Sequence, residues 1–174
     1  MEVRFVPPDL RRLDELKCEA IALPFFTDVR PLRGALGLLD WRLCGQVSRL
    51  LLRGHASGAA EEAILIPARP RLTYDKLFLF GAGAASEFDD AVFEQVVERM
   101  LVTLDRARVR VSVFGLPGRS LDAISPERAM ELYLERMGAH PEHDQVTLIE
   151  PPDAQRRMGP VVERAKRRER ALSE

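Results

Sequence analysis

Two cysteines and three histidines in 174 residues leave little material for reactive or metal-binding chemistry. Cys18 and Cys44 form no C-x-x-C pair, which excludes a disulfide framework and a four-ligand structural zinc site within one chain. Free thiols fit a reducing compartment. No apolar run approaches the length of a membrane span, and the opening MEVRFVPPDLRR has no apolar signal core, so the cytoplasm is the expected location. An excess of charge of one sign is missing too. The 26 basic and 27 acidic residues leave a formal charge of -1, so no overall field draws the chain to nucleic acid or anionic lipid.

The composition that remains is that of an ordinary globular protein, 46% hydrophobic and 30% charged, long enough for one domain with a substantial core. Period-two alternation or short apolar runs predict strands around Val3–Phe5, Glu19–Phe26, Ala63–Ile66, Lys76–Phe80, Val109–Leu116 and Gln145–Ile149. Pro24 predicts that the second of these lies at a sheet edge or leaves the sheet. Helical spacing predicts a short helix after the N-cap Asp9 and a long one from Gly34 to Gly54, with Cys44 among its core residues. A third runs from Asp89 or Asp90 to Ala107, and a fourth from the N-cap Ser125 to Gly138. Strands alternating with helices imply βαβ units, and the expected fold is a three-layer α/β/α sandwich with a mostly parallel or mixed sheet. The expected organisation is an α/β domain over 1–152 and a basic C-terminal helix or tail over 153–174.

No set of residues converges on catalysis: Gly-x-Ser-x-Gly is missing, and so few histidines weaken any acid–base scheme. Cys18 next to Lys17 raises the question of a lowered thiol pKa, but no base is evident for it. Two glycine loops at strand ends are the candidates for ligand binding. Gly81, Gly83 and Ser86 precede a helix whose positive end favours an anion, although Glu87, Asp89 and Asp90 oppose one and the G-x-G-x-x-G pattern is incomplete. Gly118, Arg119 and Ser120 close the next strand, where Arg119 either grips an anion or is a solvated loop residue. The cluster His140-Pro141-Glu142-His143-Asp144 reads as a polar loop in preference to a metal site, and His55 as a loop residue after Gly54. In the tail, Arg156, Arg157, Arg164, Lys166, Arg167, Arg168 and Arg170 form a basic surface for a protein partner or self-association. Nucleic acid is a weaker reading, because the tail has no aromatic residue for base stacking.

From Leu32 to about Arg119 the chain resembles the N-terminal domain of the M17 leucyl aminopeptidases, a macro-domain-like α/β module that precedes their metal-dependent peptidase domain. The likeness runs in order through Leu39-Asp40, Leu50-Leu51-Leu52-Arg53-Gly54, Gly58, Ile64-Leu65-Ile66-Pro67, Gly81-Ala82-Gly83 and Leu116-Pro117. The family's catalytic stretch Asn-Thr-Asp-Ala-Glu-Gly-Arg is absent, so the resemblance carries over no catalytic residue, metal or cofactor. It implies a macro-domain-like fold and a non-catalytic protein-interaction or regulatory module. The alternatives are a small-ligand domain of nucleotide or ADP-ribose type and a DNA-binding accessory domain.

Overall fold

The run Ala20-Ile21-Ala22-Leu23 has no polar residue on either side of its pleat, so a strand built from it needs cover on both faces. The computed structural model, which describes residues 2–140 and 145–173, places it at the centre of a six-stranded sheet. The strands are β1 (Glu2–Val6), β2 (Ala20–Phe25), β3 (Ala63–Pro67), β4 (Lys76–Gly81), β5 (Val111–Phe114) and β6 (Gln145–Ile149). Their order is β1-β6-β5-β2-β4-β3, with every neighbouring pair parallel except β3 and β4. The helices are α1 (Leu10–Asp14), α2 (Gly34–Arg42), α3 (Gln46–Leu52), α4 (Asp90–Arg106), α5 (Pro126–Met137) and α6 (Pro152–Ser173). A mixed sheet between two helical layers is the expected architecture.

Alternation along β2 divides the core. Ile21 and Leu23 point into one half with Leu77 and Leu79 of β4, covered by Leu13 of α1, Leu36 and Leu39 of α2 and Val47 of α3. Ala20 and Ala22 point into the other half, where their small side chains leave room for Phe78, Phe80 and Phe114 beneath α4, α5 and α6. Pro24 does not push β2 to an edge as its residue type suggests. Residues two apart in a strand turn their backbone groups to the same side, and Ala22 turns its carbonyl to β5 by accepting from Gly115 N. The missing N–H of Pro24 therefore also faces the β5 side, beyond the last registered pair, Ala22 with Phe114. No ladder bond is lost there.

The expected single helix from Gly34 to Gly54 is two helices. Cys44 and Gly45 adopt φ values of 56° and 75°, and the buried Asp40 carboxylate accepts from Val47 N at 2.7 Å, Ser48 N at 3.2 Å and the Ser48 hydroxyl, capping α3. The break turns Cys44 out to solvent, so it is not a core residue. At the other end of the chain, α6 buries Met158, Val161 and Val162 in the same cluster as α4 and α5. The basic segment is thus one wall of the core.

Truncating Met158 to Ala should cost about 2–5 kcal/mol of unfolding free energy in urea titrations, whereas Arg167→Ala on the exposed side of α6 should stay within about 0.5 kcal/mol. Equal effects of the two would show that α6 does not pack as described.

Candidate ligand-binding cleft

Parallel strands place the carboxyl ends of β1, β6, β5, β2 and β4 along one edge of the sheet. After β1 and β2 the chain passes to the α1–α3 face; after β5 and β6 it passes to the α4–α6 face. Loops leaving adjacent strands in opposite directions draw apart, and a crevice opens at that switch point. Here it is a cavity of about 90 Å³ whose walls include Pro8, Pro24, Gly34, Gly115, Arg119 and Glu150. Pro24, with no N–H to offer, forms part of the floor.

Two glycines set the width of the loops. Gly34 sits at φ +59°, and a Cβ there would lie 2.9 Å from the Ser120 Cβ, so the α2 loop and the loop after β5 meet across the cleft. Gly118, at φ +73°, opens a one-turn helix (Arg119–Leu121) and lies flat against the Phe88 ring, where any side chain would collide. Both positions combine a left-handed backbone with close packing.

Arg119 is not the solvated loop arginine that its neighbourhood suggests. Its side chain is 8% exposed and donates from Nε and Nη2 to Glu150, at 3.2 Å and 3.1 Å, and from Nη1 to the Ile124 carbonyl at 2.6 Å. Glu150, 1% exposed, follows directly on β6. Its backbone N–H donates to the Val6 carbonyl and its own carbonyl accepts from Gln155 Nε2, so the acid is fixed to both β1 and the first turn of α6. Burial pushes the Glu150 carboxyl above its ordinary range, against the opposing pull of the Arg119 guanidinium. Sequence reasoning missed this acid; the available signal was a carboxylate at the very end of the apolar strand QVTLI, where the chain leaves the sheet.

The other candidate residues fall elsewhere. Gly81 and Gly83 line a second cavity on the α4 side, and Ser86 is exposed in a one-turn helix (Ala85–Glu87). That loop and the Gly118 loop do not share one wall, because β2 lies between β4 and β5; Phe88 against Gly118 is their link. The amides of Gly81 and Gly83 are already given to the carbonyls of Glu62 and Gly58, so they do not cradle a phosphate. Burial pushes the Cys18 thiol up to about 12, the reverse of an activated nucleophile. His140 is buried, with Nδ1 2.5 Å from Asp105 Oδ2 and Nε2 3.3 Å from Glu98 Oε1, a packed residue and not part of a solvated loop; residues 141–144 lie outside the described residues. Among the described residues no cluster of three potential metal ligands occurs, and no helix is long and apolar enough to cross a membrane. On α6, Arg156, Arg164, Arg167, Arg168 and Arg170 are exposed, Arg157 pairs with Glu127 at 2.7 Å and Lys166 with Glu163 at 3.3 Å.

No protein-family model and no curated protein sequence matches the chain. Solved structures do match. A tomato leucine aminopeptidase mutant superposes with a TM-score of 0.63 at 11% identity, over 95% of this chain, which spans 36% of that enzyme. The macrodomain of Thermus aquaticus DarG gives 0.63 at 17% identity over 86% of this chain and 99% of that one. A Trypanosoma brucei macrodomain in complex with ADP gives 0.69 at 15% identity over 92% and 67%. Identities this low bear on the fold alone, and the fold is macrodomain-like.

Removing one member of a buried ion pair strands the other, so Glu150→Ala should lower stability by about 3–5 kcal/mol in denaturant titrations. The carboxyl's raised value also has a sign. Its stabilising contribution is full below the unfolded value near 4.5 and is lost as pH rises through the folded value. Stability measured across that interval should therefore fall more in the wild type than in Glu150→Gln. A parallel pH dependence in both proteins would contradict the assignment.

Proposed function

We propose that this chain is a binding module for a small ligand of nucleotide or ADP-ribose type, held in the cleft at the carboxyl ends of β2, β5 and β6. One observation carries the reading: the cleft lies at the switch point where the loops bearing Gly34 and Ser120 meet, with the guanidinium of Arg119 in its wall. Gly34 and Gly115 lend backbone to the cleft wall, and Arg119 supplies the charge that a phosphate seeks. The ADP complex of the trypanosome macrodomain lends support from the same fold. At about 90 Å³ the cavity is below the roughly 300 Å³ at which small-molecule sites begin, so entry requires Gly34 and Ser120 to part. A ligand phosphate would then compete with Glu150 for Arg119. The chain acts in this reading as a binder and leaves its ligand unchanged.

A second reading has its own observation. Arg119 is already neutralised within the fold, while Trp41 on α2 stands 73% exposed beside a shallow depression. That arrangement favours a protein-interaction module, in keeping with the resemblance to the non-catalytic part of leucyl aminopeptidases.

Titration with ADP-ribose and with ADP decides between them. Ligand at a hundred times its dissociation constant should stabilise the fold by about 2.7 kcal/mol, seen as a raised melting temperature. Arg119→Lys should weaken binding, and chromatography should recover the ligand intact. No shift with either compound at millimolar concentration would reject the ligand-binding reading and leave the interaction module.

A further inference from the structure

The sheet ends in β1 on one side and β3 on the other, and these two outer strands are built differently. An outer strand offers unpaired N–H and C=O groups to any chain that meets it, and charged side chains along it keep other chains off. β1 carries such charges in the exposed Glu2 and Arg4, which pair with each other at 2.9 Å. β3, Ala63-Ile64-Leu65-Ile66-Pro67, carries none. Ile64 and Ile66 pack into the core on the α1–α3 face. On the opposite face Leu65 stands 54% exposed, with Ala63 and Pro67 exposed on either side of it.

Backbone direction along β3 follows from the bonds at its ends. The Glu62 carbonyl accepts from Gly81 N and Ala68 N donates to the Asp75 carbonyl, so residues 62, 64, 66 and 68 turn their peptide groups towards β4. Ala63, Leu65 and Pro67 then turn theirs outwards, and among the described residues no backbone partner beyond the sheet reaches them. This outward row is symmetric about Leu65. Two copies of β3 laid antiparallel with their Leu65 residues opposite exchange both Leu65 bonds, and each Ala63 N–H meets a Pro67 carbonyl, an acceptor that needs no N–H of its own. Exposed Glu61 and exposed Arg69, which also contacts Asp75, lie equally far from Leu65 on either side. The same register therefore sets each acid opposite the arginine of the other copy.

We propose that β3 is a self-association strand: two copies of this chain pair β3 with β3, antiparallel about a two-fold axis at Leu65, and join their sheets into one. A two-fold contact uses the same patch on both copies, and the symmetric row of donors, acceptors and charges satisfies that condition. Opposed Cα atoms in a hydrogen-bonded antiparallel pair are about 5.5 Å apart, so the two Leu65 side chains, on one face, cover each other. So short a ladder makes the dimer a transient one, at the small end of interface sizes. No residue of β3 lines the cleft near Arg119, and the association is independent of the proposed cleft ligand.

The test is sedimentation of the full chain from micromolar to millimolar concentration, joined to amide hydrogen exchange at both ends of that range. Wild type should pass from monomer to dimer. The Ala63 and Leu65 amides, open in the monomer, should gain at least tenfold protection in the dimer, while those of Ile64 and Ile66 exchange slowly in both. Leu65→Lys, which opposes like charges at the axis, should weaken the dimer at least tenfold, and Glu61→Lys should weaken it less. Leu52→Lys, at an exposed leucine on α3, should leave it unchanged. A chain that stays monomeric at millimolar concentration overturns the proposal, as does a dimer that Leu65→Lys leaves intact or that Leu52→Lys abolishes. Should Leu65→Lys fail to fold, exchange in the wild type decides: a dimer without new protection at Ala63 and Leu65 overturns it. Protection of these amides only by an added extended peptide, with the chain still monomeric, overturns it in favour of a foreign strand.

Discussion

The double burial of β2 governs the rest of this molecule. A strand with no polar face stands only where helices cover both sides of it, and the chain supplies that cover by leaving neighbouring strands in opposite directions. The same arrangement separates the loops at the carboxyl edge, so the requirement that closes the core is also what opens the cleft. Pro24 belongs to both consequences. It rides in the central strand because its missing donor faces the place where β5 has already stopped pairing, and there it becomes cleft floor.

Charge is treated differently at the two cavities along this edge. At Arg119 the fold supplies its own anion, and Glu150 is tied through its backbone to β1 and through Gln155 to α6. An ion pair so placed couples the cleft to the outer strands and to the C-terminal helix, since moving the carboxylate disturbs elements on both sides of it. At Arg99 the fold supplies the Gly81 carbonyl and, among the described residues, no acid.

Much of the architecture was readable in the sequence, because apolar periodicity reports burial directly. The strand Gln145–Ile149 and the helix capped by Ser125 and closed at Met137 stand as their residues suggest. The failures share a cause. Pro24 argued for an edge, because a single sequence does not say which of its sides carries a neighbour. The Gly34–Gly54 spacing looked continuous, because Asp40 acts as a cap only once the chain has turned at Cys44 and Gly45. Arg119 and His140 read as solvated loop residues because their partners, Glu150 and Asp105, are distant in sequence. Local chemistry identified the glycine loops; pairing across the sheet decided what each one faces.

The contact between Gly34 and Ser120 gives the cleft an unusual economy of scale. Its two banks are separated by a hydrogen atom where any other amino acid would place a carbon. A residue with a side chain at position 34 would meet Ser120, and the glycine lets the two banks touch. The closed width of the cleft is set by what position 34 lacks.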